Sequence, residues 1–140
     1  MFVISERDFK KVFQTDFGRG TGNCLQACVA SICGVELEHV PHFVTFENWT
    51  EEYVRYLASH HLVVMWNYVI NDQMLARFLD RIRYEGLCIL SVESFNLPGC
   101  LHAVVGKIER GTINVVHDPN PAYADKDQSE YRVAQIDLFY

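Results

Sequence analysis

The spacing of apolar residues changes along this chain, and this change most limits the fold that it can adopt. Up to residue 83 the apolar residues recur mainly at helical spacing, whereas from residue 87 onward they form short runs typical of buried strands. Helices that precede a sheet of hairpin-linked strands predict the α+β class with a mostly antiparallel sheet. The chain has 140 residues, so we expect a single domain over residues 1–140.

Capping residues and helix breakers predict where these elements begin and end. Asn23 precedes the first helix, and Gly34 ends it where a left-handed residue is favoured. Asn71 caps a later helix, and Gly86 follows it. The predicted helices span residues 24–33, 50–60 and 71–83, and the predicted strands span residues 62–70, 87–92, 101–108, 112–117 and 131–138, with a short strand around residues 12–14.

The charge balance and the N-terminus exclude several classes of partner. The chain has 12 Lys and Arg against 18 Asp and Glu, a net charge of −6, whereas binding to nucleic acid needs clustered basic residues. Charges appear at Glu6 and Arg7, too early for a signal peptide, and the longest wholly apolar run, residues 62–66, is too short to span a membrane. We expect a cytoplasmic protein that binds neither nucleic acid nor membrane; its oligomeric state stays open.

The five cysteines of the chain cannot all pair with one another, so the simplest interpretation is that the thiols are reduced. Cys28 and Cys33 fall on the apolar face of the first helix, and Cys88 falls in a predicted buried strand. Cys24 differs, because it is the first helical residue and follows a glycine-rich loop, residues 18–22. The helix dipole and the unpaired backbone N–H groups stabilise a thiolate at that position.

A reactive thiol needs a base, and the late hairpin offers one. His102 begins one predicted strand, and Asp118 follows the end of the next. Residues 109–111 fit a three-residue loop, which pairs Ile108 with Thr112 and places His102 opposite Asp118 on the same face. A carboxylate bonded to one imidazole nitrogen leaves the other nitrogen to face the thiol. A two-residue loop would shift the register by one and remove this argument; the alternative interpretation is a His–Asp pair that only stabilises the hairpin.

Four parts of the sequence resemble papain-like cysteine peptidases, in particular the C39-like branch that contains bacteriocin-processing peptidase domains. These parts are Gln14, Gly22-Asn23-Cys24, Leu101-His102-Ala103-Val104-Val105 and His117-Asp118-Pro119. The resemblance covers the chain from Gln14 to Pro119, and it extends to small phage and bacterial proteins with a similar Gly-Asn-Cys box. It implies a papain-like fold in which N-terminal helices, one with the nucleophile at its start, pack on the sheet.

The same resemblance implies a role for each matched residue. Cys24 matches the nucleophile, His102 the general base and Asp118 the acid that orients the base. Gln14 matches the side chain that donates a hydrogen bond to the oxyanion, beside the backbone N–H of Cys24. Gln14 lies ten residues before Cys24, further than is usual in that branch, and the glycine-rich loop accommodates the excess.

Two side chains next to Cys24 are alternative oxyanion donors. Asn23 directly precedes the thiol, and Gln26 lies two residues after it. Both also fit a capping box, in which the Asn23 side chain caps the helix and Gln26 is its partner three residues on.

A second likeness is to ovarian-tumour-type deubiquitinases, which also carry a Gly-Asn-Cys-Leu run. Thr21 stands where those enzymes have an acidic residue three positions before the cysteine. Ala103 stands where they have an aromatic residue after the histidine. These departures favour the first resemblance.

The candidate chemistry is attack by the Cys24 thiolate on a carbonyl of a protein or peptide substrate. Peptidases, isopeptidases, deamidases and acyl transferases share this step, and we expect a cysteine peptidase-like hydrolase. A zinc site built from Cys24, Cys28, Cys33 and a histidine is a competing interpretation. Its C-x₃-C-x₄-C spacing on one helix is unlike that of known zinc sites, so we predict no metal and no cofactor.

A third interpretation is a catalytically silent domain that keeps the fold and binds another protein. The aromatic residues after the first helix supply surface for such binding if they are exposed. We expect them in the core instead, because aromatic residues at helical spacing usually pack inward. They are Phe43, Phe46, Trp49 and Tyr53.

Overall fold

The computed structural model of the protein describes residues 6–140, which form three α-helices and a five-stranded antiparallel sheet. The predicted α+β class is confirmed. The helices are α1 (Cys24–Cys33), α2 (Trp49–Ser59) and α3 (Asp72–Arg81), and the strands are β1 (Val64–Tyr68), β2 (Gly86–Glu93), β3 (Leu101–Glu109), β4 (Thr112–His117) and β5 (Val133–Phe139). None of the helices in the described part of the chain is both long and apolar enough to cross a membrane.

The strands lie in the order β1-β5-β2-β3-β4, and every neighbouring pair is antiparallel. The last strand in sequence therefore inserts between β1 and β2. β3 lies next to the edge strand β4, and α1 packs on it. This packing brings the first turn of α1 to the beginning of β3, since Cys24 Sγ accepts a hydrogen bond from the backbone N–H of Ala103 at 3.4 Å.

Apolar side chains cover both faces of the sheet. One face packs against α1 and α2, and Ile89, Val105 and Phe139 belong to this core. The other face packs against α3 through Leu75, Phe78 and Leu79, which the predicted helix places on one side, and this core contains Leu90, Val104 and Ile136. Alternation of side chains along each strand supplies both cores, because successive residues point to opposite faces.

The capping signals at two helix ends are confirmed. Asn71 accepts a hydrogen bond from the backbone N–H of Met74 at 2.8 Å at the start of α3. Gly34 ends α1 in the left-handed conformation with a φ of 68°. A side chain at residue 34 would collide with the backbone, since a Cβ there would lie 2.2 Å from the carbonyl oxygen of Asp8.

The short strand predicted around residues 12–14 is wrong, because this segment has no regular structure. Backbone groups in and next to this segment bond to α1 and to the carbonyl of Pro119 instead of to a strand. Lys10 donates its N–H to the carbonyl of Ser31, and Val12 donates its N–H to the Ser31 hydroxyl at 3.0 Å. A helical serine therefore satisfies groups that a neighbouring strand would otherwise satisfy.

The expectation that four aromatic residues lie in the core is half wrong. Phe43 and Tyr53 are buried and meet edge to face, with ring centroids 5.3 Å apart. Phe46 and Trp49 are 42% and 40% exposed. The reason is that residues 43–45 form a separate 3₁₀ turn before α2, so the four residues do not share one helical face.

Candidate active site

Cys24 is the first residue of α1, as predicted, but its neighbour Asn23 does not cap the helix through its side chain. Asn23 Oδ1 accepts hydrogen bonds from the backbone N–H groups of Thr15 and Asp16, both at 2.9 Å. The predicted capping box is therefore wrong, because the Asn23 side chain reaches back to the preceding segment. Because the Asn23 side chain does not bond to the backbone N–H groups in the first turn of α1, these groups can donate to a thiolate or an oxyanion beside them.

His102 is the second residue of β3, and its buried ring is bonded to Asp118. Nε2 of His102 lies 2.7 Å from Oδ1 of Asp118. Nε2 is therefore occupied, and Nδ1 is the nitrogen that remains for the thiol of Cys24, whose pKa the nearby ring lowers. Cys24 lies beside His102, because its Sγ accepts the backbone N–H of the next residue, Ala103. The three side chains therefore come together in the order expected for a catalytic triad.

The hairpin achieves this contact by a register different from the predicted one. The loop has two residues, Arg110 and Gly111, both with positive φ (53° and 72°), as a type I′ turn requires. Ile108 consequently pairs with Ile113, so the predicted pairing with Thr112 is wrong.

A β-bulge compensates for the shorter loop. The register of β3 with β4 shifts again between Gly106, which pairs with Val115, and Val105, which pairs with His117. Two shifts of one residue return the side chains to the face that the three-residue loop predicted. His102 and Asp118 thus share a face as diagonal neighbours rather than as a directly opposed pair.

Asp118 is held by two further donors that the sequence analysis missed. Its Oδ1 also accepts the backbone N–H of Asn120 at 2.9 Å, and its Oδ2 accepts the phenol O–H of Tyr131 at 2.9 Å. Tyr131 lies thirteen residues after Asp118 and just before β5, so no local spacing links the two. Burial and the Asp118 carboxylate together raise the pKa of Tyr131 above its ordinary value, which keeps the phenol a donor.

The electrostatics of the site favour a thiolate on Cys24. Burial alone would raise the pKa of the thiol, but the hydrogen bond and positive charge of His102 lower it below its ordinary value. The backbone N–H groups of Ala103 and Leu25 act in the same direction. Burial would also lower the pKa of His102, but its bonds to Asp118 and Cys24 raise that pKa to about 9.

The three cysteines in the two cores have raised pKa values, which favour the neutral thiol over the thiolate. Burial raises the pKa of Cys28 and of Cys88 well above the ordinary value, and it raises the pKa of Cys33 to about 11. Cys28 and Cys88 are fully buried, and Cys33 is partly buried against the core, so the core placement predicted for all three is confirmed. All five thiols are free.

Gln14 lies on the wall of the cleft that contains Cys24, as the resemblance implies. It is buried, and its backbone N–H bonds to the carbonyl of Pro119, next to Asp118. One hydrogen of Nε2 is donated to the carbonyl of Asp16 at 2.9 Å, and Oε1 has no hydrogen-bond partner among the described residues. An Nε2 group has two hydrogens, so one remains for a substrate oxygen.

The alternative oxyanion donors have structural roles instead. Gln26 donates Nε2 to the carbonyls of Leu37 and Val40 at 3.1 and 2.8 Å. Asn23 donates Nδ2 to the side chains of Thr15 and Gln26. Both amides are therefore used to hold the chain around α1, which leaves Gln14 as the oxyanion donor among the three predicted candidates.

Two other histidines position the segments around the site rather than take part in it. His117 donates Nε2 to the carbonyl of Val12 at 2.7 Å, and burial lowers its pKa. His42 donates Nε2 to the carbonyl of Thr21 at 2.7 Å and so fastens the glycine-rich loop to the turn before α2. Their distance in sequence from the residues they hold explains why spacing did not reveal these contacts.

The cleft in front of Cys24 and His102 encloses about 190 Å³. Three glycines of the residue 18–22 loop form one wall. One part of the remaining lining is apolar and another carries hydroxyl and amide groups. The apolar part consists of Phe17, Val44, Leu97 and Leu101, and the polar part of Ser94, Asn96, Asn120 and Tyr123.

Arg19 crosses from the glycine-rich loop to the opposite rim of the cleft. Its guanidinium donates to Cys100 Sγ and to the carbonyl of Pro98, both at 3.4 Å. Next to the triad, Tyr123 meets the His102 ring edge to face at 6.0 Å, and Phe95 packs against both Tyr123 and Tyr131. These aromatic rings limit the access of water to the His102–Asp118 bond.

No group of three or more His, Cys, Asp or Glu side chains within residues 6–140 is arranged to hold a metal ion. Comparison with family models, with curated proteins and with solved structures found no match to this chain.

Proposed function

We propose that the protein is a thiol-dependent hydrolase or acyl transferase that acts on an amide or peptide bond, a cysteine peptidase-like enzyme with a papain-like arrangement of its site. The observation that carries the proposal is the His102–Asp118 hydrogen bond with Cys24 beside it on the N–H of Ala103, together with the lowered pKa of Cys24 and the raised pKa of His102. A protein or peptide in the cytoplasm is the proposed substrate, in a host cytoplasm if the chain is encoded by a phage.

The reaction begins when the Cys24 thiolate attacks the substrate carbonyl and forms a C–S bond. The negative oxygen accepts hydrogen bonds from the Cys24 N–H and from Nε2 of Gln14. Nδ1 of the protonated His102 then gives its proton to the leaving amine as the C–N bond breaks, which leaves an acyl-enzyme. Water or an amine attacks the thioester, His102 takes the proton of the attacking group, and Cys24 leaves as thiolate.

The lining of the cleft limits the substrate groups that fit beside the scissile bond. Apart from His102 and the two thiols of Cys24 and Cys100, its lining residues carry no ionisable side chain except the phenol of Tyr123. Phe17, Val44 and Leu101 are between 39% and 55% exposed and supply apolar contact area. A positively charged group would lose hydration there without gaining a partner, so we expect apolar or small uncharged residues rather than Lys or Arg next to the scissile bond.

The experiment is digestion of a peptide library with the wild-type protein, with new termini identified by mass spectrometry. Cleavage at sites with apolar neighbours, together with a thioester adduct on the Cys24 peptide, supports the proposal. Cys24→Ala must abolish both signals, while Cys100→Ser, which alters another thiol of the same cleft, must retain them. Cleavage that survives Cys24→Ala contradicts the proposal.

Gln14→Ala tests the oxyanion role in the same assay. Loss of one such donor lowers kcat by roughly 10²- to 10³-fold, because the bond strengthens only as charge develops on the oxygen. We expect KM to change little. A variant with wild-type kcat would show that Gln14 does not act on the oxyanion.

The second candidate function is a protein-binding module that retains this site without turnover. The exposure of Val44 and Phe46 before α2, and of Trp49 at its first residue, favours it. The two functions differ in their response to one substitution. A binding module keeps its biological role in Cys24→Ala, whereas an enzyme loses it.

A further inference from the structure

We propose that two copies of this chain pair through their β1 strands in an antiparallel, two-fold symmetric dimer. β1 is the last strand at one side of the sheet, and no other strand of residues 6–140 lies beyond it. Residues 62–71 are ten consecutive uncharged residues that include this strand. The proposal concerns the sheet edge and does not depend on the function of the cleft.

The backbone of β1 presents at this edge a regular set of groups that have no hydrogen-bond partner among residues 6–140. Val63 exchanges two hydrogen bonds with Tyr140, at 2.8 and 2.9 Å, and Val69 donates its N–H to the carbonyl of Ala134 in β5. The odd-numbered residues of the strand therefore point their N–H and C=O groups toward β5. The even-numbered residues Val64, Trp66 and Tyr68 point theirs outward.

These outward groups match a second copy of the same strand. If Trp66 pairs with Trp66 of the second copy, Val64 pairs with Tyr68 in both directions. Each of these three pairs then exchanges two N–H···O=C bonds, and no outward group of the strand is left unpaired. The side-chain pairs are aromatic with aromatic and aromatic with β-branched, which are favourable combinations across strands.

The area around β1 is large enough for such an interface. Five apolar residues of and next to β1 are exposed, with Tyr68 and Ile70 at 69% and 83%. Their exposed parts amount to about 500 Å² per copy, or about 1,000 Å² for two, the lower limit of stable interfaces. The five are Val63, Met65, Trp66, Tyr68 and Ile70.

The opposite edge of the sheet shows how this chain blocks such pairing. The side-chain amide of Gln128, which lies outside the sheet, covers the backbone of Val115 in β4. It accepts the N–H of Val115 at 2.7 Å and donates to the carbonyl of Val115 at 2.9 Å. The register shift against Val105 and Gly106 also interrupts that edge. β1 has no charged residue, no proline and no bulge, which are the usual devices that prevent edge-to-edge association. The absence of charge also lets two copies of a chain with net charge −6 approach at this edge.

The first test is sedimentation equilibrium of the wild-type chain over a wide concentration range. We expect a reversible monomer–dimer equilibrium. Trp66→Lys and Tyr68→Lys, which place charges in the paired strands, are expected to shift the protein to monomer. Val54→Lys replaces an exposed apolar residue of α2 and is the matched control that must stay dimeric. A wild-type protein that is monomeric at every concentration overturns the proposal, whatever else binds this edge.

The second test reports the register by mild oxidation of variants that carry one new cysteine each. In Trp66→Cys the two new thiols oppose each other across the two-fold axis, at a Cα separation of about 5.5 Å that a disulfide can span. In Tyr68→Cys the new thiols are about four residues apart along the strands, roughly 14 Å. In the first variant we expect mass spectrometry to find a disulfide that joins position 66 of one copy to position 66 of the other, and in the second variant no equivalent link. Linkage of equal yield in both variants overturns the proposed register.

Discussion

Replacement of His102 by alanine isolates the interaction that lowers the pKa of Cys24. In the wild-type protein the hydrogen bond and charge of the imidazole ring offset the cost of burying a thiolate. His102→Ala removes both contributions and retains the burial, while the N–H groups of Ala103 and Leu25 remain. We therefore expect the pKa of Cys24 to rise in this variant.

The size of the effect follows from the kind of interaction that is lost. Cys24 is partly buried against the core, so solvent screens its interaction with the ring only in part. A hydrogen bond to a charged group contributes about 1.5–3 kcal/mol, and about 1.4 kcal/mol corresponds to a factor of ten. At a pH below the pKa of the thiol, the thiolate population of the variant should therefore be roughly 10- to 100-fold smaller.

The assay is alkylation of the native protein by iodoacetamide at mildly acidic pH, with the rate at each cysteine measured by peptide mapping. We expect Cys24 to react fastest in the wild type and its rate to fall by the factor above in His102→Ala. His39→Ala is the matched control, because this exposed histidine lies on a separate 3₁₀ turn. Circular dichroism establishes that both variants are folded.

Two results would refute the reasoning. If Cys24 reacts no faster than Cys100 in the wild type, then the helix start and the imidazole do not stabilise a thiolate. If alkylation of Cys24 is equally fast in His102→Ala, then the ring is not the source of the lowered pKa. The second result would also remove the main support for a triad.

Three further predictions concern the pH dependence, the support of the triad and the end of α1. The rate of substrate cleavage should fall as the pH rises through about 9, because His102 then loses the proton that the leaving amine needs. A rate that stays constant up to about pH 10, above the pKa of His102, would contradict this pH dependence. Tyr131→Phe should lower the free energy of unfolding in urea by about 1–3 kcal/mol and lower kcat more than KM, because one oxygen of the buried Asp118 loses its donor; an unchanged kcat would show that the phenol does not position the carboxylate. Gly34→Ala should destabilise the protein more than Gly99→Ala. Both substitutions place a side chain at a positive φ, which costs about 1–2 kcal/mol, but a Cβ at residue 99, where φ is 80°, would meet no other atom. Equal melting temperatures of the two variants would show that the contact with the residue 8 carbonyl is harmless.

Local patterns were sufficient to predict most of the secondary structure. α1 was predicted with the bounds that it has in the structure, because Asn23 and Gly34 mark its ends and apolar residues recur between them. The bounds of the strands were predicted to within about two residues, since each is an apolar run between polar turns. These features depend on neighbours in sequence, where periodicity and turn chemistry act directly.

The details of the site depended on contacts that no local pattern contains. The two-residue loop and the bulge in β4 changed the register twice, and the His102–Asp118 contact survived only because the two shifts restored the face. Asn23 fits a cap by its position, but the backbone of residues 15–16 competes for its side chain and binds it instead. Such competition is decided by three-dimensional proximity.

The sequence by itself determined that this protein is an α+β chain with one cysteine at a helix start and a His–Asp pair on a late hairpin. The tertiary structure alone decided that these residues meet, that Tyr131 supports Asp118, and that Gln14 faces the same cleft. The tertiary structure also placed β1 at an edge of the sheet, because β5, from the far end of the chain, inserts between β1 and β2. Helix starts and turns follow from local chemistry, whereas sheet order and side-chain partners follow from the packing of segments distant in sequence.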